Sequence, residues 1–241
     1  MTAAPDLAGE LAAIRESYDT VAADYADLLR GHLAGQPYDR AVLGLFAELV
    51  ADGGGGPVAD VGCGPGRITA HLAALGLDAF GIDLSPAMIE IARRDHPGLR
   101  FEAGSMTDLE LPDASLAGLL GWYSLIHLPD EVIPGVLSRF HRVLRPGGLV
   151  LLAFHVGDES RLKTSGYGGH PMRLCVHRRP PERVAGWLAD AGFVVDTRVV
   201  REPEGVETVP QAYLLARRSS GTAGQGKTKT MWQRDEGGGN R

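Results

Sequence analysis

Three glycines set two residues apart, Gly62, Gly64 and Gly66, interrupt the chain just after the apolar run Val58-Ala59-Asp60-Val61. Seventeen residues beyond the last of them, Asp83 ends the run Phe80-Gly81-Ile82. Glycine has no Cβ and takes positive φ freely, so the main chain can turn sharply there and let a ligand touch the backbone. The helix that follows offers unpaired N–H groups. A carboxylate ending the next strand can accept hydrogen bonds from two ribose hydroxyls. Together these residues predict a nucleotide pocket at the tips of two neighbouring strands.

Which nucleotide is decided by two further residues. The dinucleotide fingerprint Gly-x-Gly-x-x-Gly needs a glycine at position 67, where helix and strand pack closely, and this chain has Arg67. Asp60, two residues before Gly62, is expected near the mouth of the pocket, where its charge repels a pyrophosphate and attracts a cation. S-adenosylmethionine, with an ammonium and a sulfonium, is such a ligand.

At this point the residues carry a family. The chain resembles the class I S-adenosylmethionine-dependent methyltransferases, in their small-molecule branch, over roughly residues 18–217. The glycine block at 58–67, the ribose block at 81–93, an adenine-like block at 101–112 and the Arg145-Pro146-Gly147-Gly148 turn with the strand behind it occur in the family's order. The resemblance implies a seven-stranded, Rossmann-like α/β sheet of order 3-2-1-4-5-7-6 with strand 7 antiparallel. It also implies the cofactor contacts: Asp60, Gly62 and Gly64 near the methionine end, Asp83 on the ribose, Leu84 and Met88 against the adenine. Ser105 stands where the family has an acidic residue, so its hydroxyl is expected to accept from the adenine amino group, or binding to lean on the Met106 backbone N–H instead. Met88 as a core filler and Ser105 as a turn cap are the structural alternatives.

The elements that position these residues follow from periodicity. Leu11, Ile14, Tyr18, Val21, Tyr25 and Leu28 recur at spacings of three and four, one apolar face of a leading helix. In similar enzymes such a helix closes over the cofactor, a tyrosine hydroxyl reaching the methionine carboxylate, which makes Tyr18 and Tyr25 candidates. A second helix is predicted over 38–51 with Val42, Leu45, Phe46 and Leu49 on one face. Strands are predicted at 57–61, 78–82, 99–103, 118–122 and 149–155, with helices at 67–75, 86–94 and 131–143 between them. Such alternation means a parallel, doubly wound sheet. Ser85 before Pro86 is a helix-start signal. A helix at 183–191 stopped by Gly192 and strands at 193–200 and 209–216 complete the domain.

Three regions are thereby expected: N-terminal helices over the pocket in 1–52, a methyltransferase domain in 53–217, and a disordered tail in 218–241, which is almost devoid of apolar residues. Within the domain, residues 157–181 form a long connection rich in Gly, Arg and His, expected to act as a lid or substrate wall.

Methyl transfer from a sulfonium needs an aligned nucleophile more than a strong base. The corner Trp122-Tyr123-Ser124-Leu125-Ile126-His127 follows the fourth strand, where the crevice of an open α/β sheet lies. Trp122 and Tyr123 can face a sulfonium through cation–π attraction. His127 is the proton-acceptor candidate because its pKa falls near neutrality, with His155 and His170 behind it. No carboxylate cluster suits a divalent metal, and His170, Cys175 and His177 fit no closed zinc pattern, so no metal is expected.

With a net charge of −6 and a sequence pI near 5.7, the chain shows no basic stripe for a phosphate backbone, so a small-molecule substrate is expected rather than nucleic acid. No secretory signal or long apolar run is visible, which predicts a cytoplasmic protein with no membrane partner, monomeric or homodimeric. Its two cysteines, Cys63 and Cys175, are expected as thiols. A NAD-dependent oxidoreductase and a non-catalytic S-adenosylmethionine-binding protein remain as alternatives, the first opposed by Arg67 and Asp60.

Overall fold

The computed structural model describes residues 6–219, and the expected disordered tail lies almost wholly outside them. Seven strands form one sheet in the order β3-β2-β1-β4-β5-β9-β8. These are β1 (Pro57–Val61), β2 (Asp78–Asp83), β3 (Arg100–Ala103), β4 (Leu116–Trp122), β5 (Leu144–His155), β8 (Phe193–Arg201) and β9 (Gln211–Arg218). The first five run parallel, and β9 is antiparallel to both β5 and β8. The order is the expected one, the last two strands taking higher numbers because a hairpin precedes them.

Near-continuous apolar runs in the central strands reflect burial on both faces. Successive side chains leave a strand on opposite sides, so Leu119, Val150 and Leu152 meet one layer while Leu120, Leu149 and Leu151 meet the other. The first layer is built on helix α5 (Ile133–Val143) through Val136, Leu137 and Phe140, with α6 (Pro181–Asp190) beside it. The second rests on α2 (Pro37–Asp52) and α3 (Arg67–Ala74). Each fully buried Leu or Phe contributes roughly 1.5–3 kcal/mol of transfer free energy, set against ordering entropy. The stripe on α2 is rotated from the expected one. Leu43, Phe46, Ala47 and Val50 are buried, whereas Leu45 is exposed.

Helix α4 (Pro86–Asp95) starts as its sequence predicts, the Ser85 hydroxyl accepting the Met88 N–H at 3.1 Å with Pro86 in the first turn. Helix α1 (Leu7–Leu29) lies across the carboxyl ends of the strands. Its Asp19 accepts the Ser85 hydroxyl at 2.6 Å and the Ala87 N–H at 3.2 Å, which ties the helix to the start of α4.

The stretch expected as a lid or substrate wall, for which the sequence predicts no strands, is an antiparallel hairpin, β6 (Ser160–Gly166) with β7 (His170–His177). Only Met172 and Leu174 bury fully in it, against Val21 of α1. One short apolar pair among arginines, glycines and histidines is too weak an alternation to announce two strands. Residues Tyr167-Gly168-Gly169 all have positive φ at its tip. Both cysteines are free, Cys63 buried and Cys175 partly so.

Candidate functional site

The three glycines take φ of 83°, 53° and 81° in chain order, and Gly66 caps the start of α3. A Cβ on Gly62 would lie 2.3 Å from the Ser124 Cβ, so the turn passes the β4 corner at a distance only glycine permits. Asp83 fastens that turn to the next one. One of its carboxylate oxygens accepts the Gly64 N–H at 2.7 Å and the other the Ser85 N–H at 2.8 Å. Burial raises its pKa, an effect opposed by the backbone donors.

Beside this clamp opens a cavity with about 730 Å³ of space not filled by protein atoms, part of it open to solvent. Gly62, Gly64, Asp83, Leu84, Met88 and Ser105 line one side, and Met106, Trp122, His127, Tyr18 and Tyr25 the rest. Eleven of the twelve predicted site residues therefore meet there. Ser105 also caps its turn, its hydroxyl accepting the Thr107 N–H at 3.2 Å and sharing a 2.7 Å hydrogen bond with the Thr107 hydroxyl. Met88 likewise serves both readings, being 1% exposed yet part of the wall.

Asp60 is the exception and corrects the sequence reading. It is fully buried and does not line the cavity. Strand alternation turns its neighbour Val61 to the cavity and Asp60 to the α3 side, where one carboxylate oxygen accepts the Thr69 hydroxyl at 2.7 Å and the other has no partner among the described residues. Burial pushes its pKa up to about 7.

Tyr18 and His127 form a pair the sequence did not show. The Tyr18 oxygen stands 2.7 Å from His127 Nε2, and His127 Nδ1 stands 2.9 Å from the Cys175 carbonyl oxygen on β7. A carbonyl only accepts, so Nδ1 carries the ring proton and Nε2 accepts the phenolic one. The proton that the family resemblance sends to a cofactor carboxylate is thus given to His127. Burial lowers the His127 pKa to about 4, so the ring is neutral at neutral pH. Burial also raises the Tyr18 and Tyr25 phenols, so both stay protonated. Tyr18 packs edge-on against Tyr25, with ring centroids 5.8 Å apart.

Several wall residues escaped the sequence reading. Leu11 and Ile14 reach the cavity from α1, and their place in its apolar stripe was the available signal. Ser124, whose type carries no such signal, donates to the Val61 carbonyl at 2.7 Å. Tyr123, expected as part of an aromatic wall, does line the cavity and holds φ at 53°, unusual for a bulky residue. Among the described residues there is no group of three or more His, Cys, Asp or Glu able to hold a metal ion, and no helix long and apolar enough to cross a membrane. His155 and His170 lie outside this cavity, His170 contacting Asp24 of α1 at 2.5 Å.

A family model described as a methyltransferase domain matches residues 58–148, the segment holding the glycine turn, Asp83 and β4. Over that segment the chain is similar to known methyltransferases, in keeping with the class I S-adenosylmethionine-dependent family that its residues resemble. It is 28% identical over 204 residues to a demethylmenaquinone methyltransferase of Chlorobaculum parvum, covering 83% of this chain and 79% of that one. Over 97 residues it is 41% identical to a trans-aconitate 2-methyltransferase of Methylobacterium radiotolerans, covering 38% and 35% of the two chains. Its fold is similar to that of the Burkholderia thailandensis 1,6-didemethyltoxoflavin-N1-methyltransferase, solved with 1,6-didemethyltoxoflavin and S-adenosylhomocysteine bound. That likeness has a TM-score of 0.67 at 24% identity, over 91% of this chain and 92% of that one.

The cavity residues suit S-adenosylmethionine, the cofactor that the family resemblance implies. An acidic residue stands at the strand end, apolar Leu84 and Met88 are neighbours, and the aromatic rings suit a cation. The Trp122 indole N–H is buried without a partner among the described residues. Among the described residues no lysine lines the cavity and Arg15 is its one permanently charged cation, a poor lining for a pyrophosphate.

Proposed function

We propose that the chain methylates an oxygen or nitrogen atom of a small-molecule acceptor by in-line displacement, with the Tyr18–His127 pair aligning the acceptor. The observation that carries this is the direction of the Tyr18–His127 hydrogen bond, which leaves the Tyr18 oxygen with lone pairs beside the Asp83-clamped turn. Bound S-adenosylmethionine supplies a methyl group already activated by its sulfonium, so positioning is the main demand on the protein.

In this reading Asp83 accepts from the ribose hydroxyls with the lone pairs not used by Gly64 and Ser85. Leu84 and Met88 bear on the adenine, with Ser105 and the Met106 backbone at its edge. Gly62 and Gly64 let the methionine end approach the main chain, while Trp122 and Tyr25 wall the sulfonium side. Tyr18 accepts a hydrogen bond from the acceptor's O–H or N–H, which orients the remaining lone pair. His127 touches Tyr18 rather than the reacting atoms, and with a pKa near 4 it positions rather than removes a proton. Helix α1 and the β6–β7 hairpin close the site against water.

Three relatives' names are compatible with a small acceptor: demethylmenaquinone, trans-aconitate and 1,6-didemethyltoxoflavin. The test is incubation of purified protein with methyl-labelled S-adenosylmethionine and a metabolite extract, with calorimetry against S-adenosylhomocysteine and NADH. Label transferred to a small product and tight adenosylhomocysteine binding are expected. Micromolar NADH binding without adenosylhomocysteine binding would overturn the assignment, and bound cofactor with no transfer would leave a binding protein.

A further inference from the structure

A second depression lies on the far side of the Tyr123–His155 wall. Tyr123 lines the cavity, His155 lines the depression, and their ring centroids are 5.1 Å apart. The groove runs between the β6–β7 hairpin and the loop joining β8 to β9, with about 1010 Å³ of unfilled space, much of it open to solvent. Its apolar lining includes Val176, with Leu162, 60% exposed, and Val206, 97% exposed, at the rim.

The charges in it are unevenly matched. Glu207 lines the groove but is held by a two-pronged pair with Arg201 and by the Glu204 N–H. Arg178 lines it too, and is paired with Glu159 and donates to the Thr208 hydroxyl at 3.3 Å. His155 is neutral at neutral pH because burial lowers its pKa, and its Nδ1 is 2.8 Å from the Gln211 amide oxygen. Arg161 and Lys163 remain. They sit two residues apart on β6, on one face of the hairpin, and neither has a carboxylate within 4.0 Å among the described residues. The Lys163 ammonium lies 3.8 Å above the Tyr167 ring, and Tyr167 packs edge-on at 4.8 Å against Tyr25 of the cavity. Burial alone depresses the Lys163 pKa, as expected of a half-buried cation without a counter-charge.

We propose that this groove is the anchoring subsite for the methyl acceptor, and that Arg161 and Lys163 there bind an anionic group, a carboxylate or a phosphate, remote from the methylated atom. The acceptor's apolar body lies along Leu162, Val176 and Val206, and its reacting end passes the Tyr123–His155 wall into the cavity. This assignment rests on the methyl-transfer function proposed above. It makes the acceptor an amphipathic anion, and the hairpin its selectivity element.

The experiment fractionates a metabolite extract on a strong anion exchanger at pH 9 and assays each fraction for label transfer from methyl-labelled S-adenosylmethionine. Acceptor activity is expected in the retained fraction. The double variant R161E/K163E should then raise KM for that fraction at least tenfold with kcat within about threefold, and leave S-adenosylhomocysteine affinity unchanged. The milder R161Q/K163Q should raise KM less, and the charge-conserving R161K/K163R should restore it. Phosphatase treatment of the extract names the source: lost activity marks a phosphate and retained activity a carboxylate, either supporting the anchor. Acceptor activity confined to the unretained fraction, or an unmoved KM in R161E/K163E, overturns the anchor while leaving methyl transfer intact. Label transfer in no fraction sinks the methyl-transfer function, and the anchor with it.

Discussion

Replacing Asp83 by alanine removes both the acceptor that clamps the glycine turn and the group proposed to hold the ribose, and the two losses can be measured separately. In the free protein the carboxylate receives the Gly64 and Ser85 N–H groups at 2.7 and 2.8 Å. Hydrogen bonds to a charged group contribute about 1.5–3 kcal/mol each, so the gross loss is about 3–6 kcal/mol. Water reaching this half-buried corner replaces part of it, and the unfavourable burial of the carboxylate, visible in its raised pKa, disappears as well. A net destabilisation of about 2 kcal/mol is expected by urea unfolding. The cofactor loses its own charge-assisted bonds, a further 1–3 kcal/mol or so, which is about 5- to 150-fold in Kd for S-adenosylhomocysteine by calorimetry. Asp83→Asn keeps one acceptor oxygen but sets an amide N–H against the second backbone donor, so it should fall between wild type and alanine in both measurements. Alanine variant protein that is still folded and binds S-adenosylhomocysteine as tightly as wild type refutes the ribose assignment. Unchanged unfolding would refute the clamp.

Other expectations concern neighbouring groups. Tyr18→Phe removes the donor to His127 and the oxygen offered to the acceptor, so kcat should fall by roughly 10- to 100-fold, while stability drops by about 1 kcal/mol. Retained kcat in that variant would remove Tyr18 from the reaction. Because His127 is neutral above a pH of about 4, kcat/KM should show no break near 6.5 owing to it, and a histidine-like step there that vanishes in His127→Asn would contradict the positioning role. Asp60 has a folded pKa near 7 against an ordinary value of 3.8, so its favourable contribution is full below pH 4 and lost as pH rises through 7. The difference is about 4 kcal/mol at most. Asp60→Asn should therefore flatten the fall in unfolding free energy between pH 4 and 8, and an unaltered slope would refute the buried carboxylate. Gly62→Ala forces a Cβ to within 2.3 Å of Ser124 at a φ of 83°, and should cost about 2–3 kcal/mol in thermal or urea unfolding.

Sequence periodicity and punctuation carried most of the fold. The alternation of apolar runs with helical stripes, Ser85-Pro86 at one helix start and Gly192 after another gave elements within a few residues of those observed. These signals are local, resting on hydrogen bonds and dihedral preferences of adjacent residues. The clearest misses are non-local. The hairpin exists because Met172 and Leu174 find Val21 on a helix some 150 residues earlier in the chain, and the true face of α2 is set by the strands beneath it.

The candidate site divides in the same way. The amino-acid sequence alone determined that glycines and a carboxylate would meet at two strand tips, because turn chemistry and strand order follow from residues close together in the chain. Only the tertiary structure decided that Asp60 points away from the cavity, that the Tyr18 proton rests on His127, and that Arg161 and Lys163 face a groove without a carboxylate partner among the described residues. Each depends on the direction of a side chain relative to elements distant in sequence, and packing, rather than residue type, sets that direction.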